Sequence, residues 1–218
     1  MVEDETMKTE DLIAALAADN DTKSAPMSRT FALDLGLGFL VSSLFFFVFL
    51  GLRPTFFSSL DEPRFLFKFL FSLTLAVTGL VLAWRLSRPG VDPGLARREV
   101  FLAPVLVIVA SLVEMAVVPS SQWEARMIGH NAVHCLTLIP FMSLAPLAGL
   151  FLALRHGAPS DPHRAGAAAA LASAGLAAFL YAANCPDDSP FFVAVWYMIA
   201  TSIVVALGWF AGGRLLRW

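Results

Sequence analysis

The chain has 218 residues, of which 58% are hydrophobic and only 15% charged, with a net charge of −2 and a mean hydropathy of +0.73. A soluble domain carries about a quarter charged residues, so the composition excludes an ordinary soluble fold. No basic patch interleaved with aromatics is present, which excludes direct nucleic-acid binding.

In chain order, residues 1–29 are polar and acidic. They lack the basic start and apolar core of a cleavable signal peptide. Thr9 can cap a helix whose first turn holds Glu10 and Asp11, favoured at the positive end of the helix dipole. Leu12, Ile13 and Leu16 then form one apolar edge. A helix of about ten residues is too short to be stable alone in water. Such a segment gains order by laying its apolar edge in a partner's groove. Glu10, Asp11 and Asp19 argue against a resting place on anionic lipid, and Pro26 separates the segment from the first apolar stretch.

Six stretches then approach the ~20 apolar residues needed to cross a ~30 Å hydrocarbon core: 30–50, 65–84, 99–118, 135–154, 165–183 and 191–213. The first has Gly36 and Gly38 in its inner half and Phe45-Phe46-Phe47 in its outer half. Pro104, Pro140 and Pro146 are expected to bend the third and fourth. The fifth is almost entirely Ala, Gly and Ser with Leu, a composition that lets helix backbones approach closely in lipid.

The loops set the orientation. With the amino terminus inside, Lys8, Lys23, Arg29, Arg85, Arg88, Arg97, Arg98, Arg155, Arg164, Arg214 and Arg217 lie inside, against Arg53, Arg64, Lys68 and Arg126 outside: 11 of the 15 basic residues. Positive residues stay cytoplasmic during insertion, so both termini are expected in the cytoplasm. Few ionisable residues fall inside the apolar runs, chiefly Asp34 near the inner end, and Lys68 and Glu114 in the outer thirds of their spans. The expectation is that Lys68 and Glu114 pair, or that Lys68 snorkels to the headgroups. Neither placement makes a mid-membrane relay of the kind transport requires.

Chemistry therefore concentrates in two outer segments, Pro119 to Cys135 and Asn184 to Pro190, which carry the two cysteines of the chain, Cys135 and Cys185. Ser189 followed by Pro190 is a helix start, hydroxyl cap then proline. Two lone cysteines on the oxidising side of a bacterial inner membrane suggest a disulfide, which needs Cα atoms within about 7 Å. A metal site competes for the same residues. His130 and His134 are four apart, on one face if a helix already runs there. With Cys135 and Cys185 they form a ligand set suited to zinc. Cys135 is turned about 100° from His134 on a helix, so convergence of all four needs a break. His156 and His163 lie on the other side of the membrane.

These readings give an all-α integral membrane protein: a six-span bundle over residues 30–218 with a short cytoplasmic amphipathic helix in residues 1–29. The segments Met7 to Asp19, Gly51-Leu-Arg-Pro54, Arg126 to Cys135, Asn184 to Pro190 with Trp196-Tyr197, and Arg214 to Trp218 resemble the NrsF family of membrane-bound anti-sigma factors. The resemblance covers nearly the whole chain, and the two cysteine segments are its most specific parts. It implies an inner-membrane protein that holds an extracytoplasmic-function sigma factor of the sigma F kind. The amino-terminal segment would do the holding, and Cys135 and Cys185 would sense oxidants or heavy metals. No cofactor is required, and zinc or another heavy-metal ion enters only as the signal. Two other readings stand beside this one. A membrane thiol oxidoreductase would need a second exchanging cysteine pair, and a metal-ion transporter would need central polar residues. The chain has neither, so a regulator rather than an enzyme is expected.

Overall fold

The computed structural model describes residues 8–11, 13–14 and 27–217. Thr9–Asp11 and Ile13–Ala14 are helical, with Ile13 exposed, whereas Leu12 and Leu16 lie outside the described residues. Six helices are long and apolar enough to cross a membrane: α1 Met27–Leu50, α2 Pro63–Leu86, α3 Ala96–Val117, α5 Ala132–Arg155, α6 Pro162–Ala182 and α7 Pro190–Leu215, with a short helix α4, Trp123–Ile128, before α5. Among the described residues there is no strand. Every long helix includes the stretch expected for it, to within a few residues at each end.

The helix starts follow from local chemistry. Pro63, Pro162 and Pro190 each open a helix, where the missing N–H has no intrahelical acceptor to lose. Ser189 Oγ accepts from Phe191 N–H, and Asp161 accepts from Arg164 N–H at 3.0 Å. Pro140 and Pro146 lie inside α5, which stays helical throughout. Pro104 falls in the first turn after a break at Val100 and Phe101, where proline is tolerated. Two stretches widen into π-helical turns, Phe46–Leu50 in α1 and Val193–Tyr197 in α7.

The small-residue helix α6 is the hub, buried along most of its length between α2, α5 and α7. Gly175 meets the backbone of Ala76, Gly79 meets that of Ala172, and Gly166 meets those of Gly208 and Gly212, so a Cβ at any of these glycines would collide with main chain. Such close approaches hold helices together by van der Waals contact between backbones. On the far side α1 seats on α5, with Gly38 against Ala145 and Pro146 and Gly149 against the backbone of Asp34. Gly36 meets nothing. The buried core falls into two stacked layers, one holding both cysteines, the other running from Phe31 to Leu216 at the opposite end. Outward faces of α1 and α3 are lined with exposed Leu, Val, Ile and Phe, among them Leu37, Leu44, Ile108 and Leu112. Their extent is far beyond the patches of a water-soluble monomer.

Candidate functional site

The site forms where the Asn184–Ser189 loop folds back over the cysteine end of the bundle. Ala183 and Asn184 fix the loop to the chain leaving α1. Arg53 N–H donates to Ala183 O at 3.1 Å, and Asn184 Nδ2 donates to the carbonyls of Leu50 and Gly51 at 3.3 and 3.1 Å. Gly51 sits at φ +69°, the left-handed region that glycine enters without cost, and thereby turns the chain out of α1.

Two successive aspartates then divide the work. Asp188 takes the charges. Arg53 Nη1 donates to both its oxygens at 3.0 and 2.8 Å, and Lys68 Nζ stands 2.6 Å from Oδ1. Both cations also donate to the carbonyl of Cys185, at 3.2 and 2.6 Å. Lys68 is 0% exposed and Arg53 lies 4.3 Å over the ring of Phe65. Burial at this level is tolerable for an ammonium group only when it is paired and hydrogen-bonded. Asp187 takes the start of α5. Its carboxylate accepts from the backbone N–H groups of His130 and Asn131 at 3.1 and 2.9 Å, and from Asn131 Nδ2 at 3.0 Å. It thus serves a helix start from a distant loop, where orphan N–H groups and the helix dipole both favour an anion. Gly129, at φ +60°, makes this possible, since a Cβ there would meet Phe192 and the Asp187 carboxyl.

Beneath the loop lie both cysteines as free thiols, each almost wholly buried and in one core cluster, although 50 residues apart in sequence. Tyr181 approaches the Cys185 sulfur, and Tyr197 packs beside it with ring centroids 6.1 Å apart. The Tyr197 hydroxyl is buried without a hydrogen-bond partner. Burial pushes the Cys185 thiol above its ordinary value, and outweighs Lys68, which pulls it down.

Three expectations change here. Lys68 and Glu114 do not pair, nor does Lys68 snorkel. Lys68 points inward to Asp188, while Glu114 is held by Arg64 Nε at 2.9 Å and Arg126 Nη1 at 3.0 Å. His130 and His134 do not share a helix face, because α5 begins only at Ala132 and His130 lies in the turn before it with its side chain 95% exposed. His134 is exposed while Cys135 beside it is buried, and among the described residues no three His, Cys, Asp or Glu gather where they could hold a metal ion. Sequence reasoning missed Arg53, Asp187 and Asp188 as a unit. The signal available was a lysine inside a long apolar helix that carries no acid, which calls for a carboxylate from elsewhere in the chain.

Comparison with known proteins fits this architecture. A family model described as "Negative regulator of sigma F" matches residues 16–218. The chain is 35% identical to the anti-sigma-F factor NrsF of Caulobacter vibrioides over 97% of its own length and all of that protein. It is 32% identical to the probable anti-sigma-F factor NrsF of Azospira oryzae, again over 97% of this chain and all of the other. No solved structure matches. A match over almost the entire chain, with the two loops that build the site inside it, makes this protein a member of the NrsF family of anti-sigma-F factors.

Proposed function

We propose that this anti-sigma factor sits in the bacterial inner membrane with six spans and both termini in the cytoplasm. Its amino-terminal segment, residues 1–29, holds an extracytoplasmic-function sigma factor through Leu12, Ile13 and Leu16. Residues 30–218 form a sensor that releases the sigma factor when Cys135 and Cys185 are modified from the periplasmic side. The observation that carries this reading is the junction itself: two thiols from distant segments in one buried cluster, under a loop tied by Asp187 to α5 and by Asp188 to Arg53 and Lys68. The apolar outer faces of the helices and the 11-to-4 distribution of basic residues support the membrane orientation.

Buried protonated thiols react slowly, because the thiolate is the nucleophile. The trigger therefore has to lift the loop first. With hydrogen peroxide as oxidant, one thiol ionises and its thiolate attacks an oxygen, leaving a sulfenic acid, while the released hydroxide takes up the thiol's proton as water. The second thiol then displaces the sulfenic oxygen as a second water and closes the S–S bond. Two thiols lose two electrons to one peroxide. A thiophilic heavy-metal ion would instead displace both thiol protons and bridge the two sulfurs. Either product alters the packing of α5 against α6 and α7, and so shifts an equilibrium that the bundle already possesses.

The test is co-purification of the sigma factor with wild type and with the Cys135→Ser/Cys185→Ser double variant, before and after oxidant or zinc. Wild type is expected to release the sigma factor on treatment and the double variant to retain it. Release by both, or by neither, would remove the cysteines from the signalling role. No sigma factor in any sample would sink the retention mechanism.

A further inference from the structure

On one flank of the bundle two clefts open side by side between α3, α6 and α7, with Val100, Leu171, Val205 and Trp209 as their common wall. One, about 470 Å³, continues past Pro104 to Met198 and Thr201. The other, about 420 Å³, ends between Arg97 and Arg164. They exist because α3 packs mainly on α2 and on the cysteine-end start of α7, so its arginine-bearing end stands off from α6.

The two clefts make one slot with a directional chemistry. Its walls are almost wholly apolar, and both of its cations are at one mouth. Arg97 and Arg164 are both exposed. Arg164 shares its charge with its helix-cap residue Asp161 at 3.0 Å, whereas Arg97 has no carboxylate partner among the described residues. The mouth is therefore net positive. From Trp209 to Met198 the eleven steps along α7 rise ~16 Å at ~1.5 Å per residue. That is close to half of a ~30 Å hydrocarbon core, so the slot is as deep as one leaflet. Its arginines fall on the side assigned to the cytoplasm, with Trp209 near them at the level where tryptophan sits in bilayers.

We propose that this slot holds one anionic phospholipid, its phosphate between Arg97 and Arg164 and an acyl chain along Trp209, Val205 and Leu171. A phosphate offers the planar guanidinium group paired acceptors, which a zwitterionic headgroup offsets with its own cation. The lipid ties the arginine-bearing end of α3, which otherwise packs on α2, to α6 and α7. This inference rests on the membrane-spanning reading above.

The experiment reconstitutes the full chain in vesicles of equal phosphatidylglycerol and phosphatidylcholine, extracts it in mild detergent, and counts retained lipid by native mass spectrometry. Wild type is expected to keep one phosphatidylglycerol. Each arginine near an anionic surface contributes about fivefold, so Arg97→Gln/Arg164→Gln should lower the preference roughly 25-fold. Val205→Trp, which fills the slot without changing charge, should lose the lipid as well. Arg98→Gln/Arg217→Gln, which removes the same charge from the same end outside the slot, should keep it. Equal loss in that control, equal retention of phosphatidylcholine, or equal binding of inorganic phosphate in lipid-free detergent would each overturn the proposal. A wild-type chain that leaves the vesicles under alkaline carbonate would instead overturn the membrane-spanning reading, whereas an embedded chain with no phosphatidylglycerol preference overturns only the lipid site.

Discussion

At Asp188 one carboxylate faces two cations, one of them a lysine with no access to solvent. Removing a single member of a buried ion cluster leaves its partner charged and unsolvated, a loss of about 3–5 kcal/mol. Asp188→Ala is expected to fall in that range in mixed-micelle unfolding. Lys68→Met should cost clearly less, since Asp188 keeps Arg53. A larger cost for Lys68→Met would mean the two cations are not interchangeable supports. The same carboxylate guards Cys185. Burial raises that thiol, so less of it is thiolate than for a free cysteine, and labelling should keep accelerating with pH beyond the ordinary value of 9.0, where a free cysteine levels off. Asp188→Asn, which weakens the loop's hold, should speed maleimide labelling of Cys185 at pH 7 at least severalfold. An unchanged rate would show that the loop does not gate access.

At the scale of single helices, the glycines separate into those that touch a neighbour's backbone and those that do not. Gly175→Val pushes α6 away from α2 at Ala76 and should cost about 1–3 kcal/mol. Gly36→Ala meets nothing and should be neutral or stabilising by up to ~1 kcal/mol, the helix-propensity difference. Thermal unfolding of both variants in one detergent checks the pair, and similar losses would mean that close packing at α6 is not what holds the bundle. This contrast was half legible in the sequence. The small-residue run of α6 announced close contact, but nothing local separates Gly36 from Gly38, because the difference is which of them faces α5. Ser189-Pro190 marked the start of α7 for a local reason, the hydroxyl cap before the proline, whereas the starts at Pro63 and Pro162 were not read from the sequence, and Glu62 before Pro63 makes no side-chain cap. The π-helical turns at Phe46–Leu50 and Val193–Tyr197 had no comparable local sign.

For the molecule as a whole, the number of long apolar helices and their approximate ends were readable because they depend on apolar length alone. The site was readable only in pieces. Both cysteine loops stood out, but pairing Lys68 with Glu114 by depth failed because Arg64 and Arg126 had already taken that carboxylate. Depth in sequence does not say which helix is nearest. The division of labour predicts that Leu12→Ala/Ile13→Ala/Leu16→Ala abolishes sigma-factor pull-down while the chain still inserts, and unchanged pull-down would place retention elsewhere. The seat of α1 on α5 has a mechanical consequence. Between its ends α1 bears on α5 through Gly38, Gly149 and a hydrogen bond from Ser42 to the Met142 carbonyl, and its first residue joins directly onto the tail. α1 is thus a lever whose main bearing is α5, the same helix whose opposite tip carries Cys135 and is gripped by Asp187, with Phe31 against Trp84 of α2 as a lesser support. A slip of α5 by one residue, ~1.5 Å along its axis, would reach the first helix chiefly through this seat.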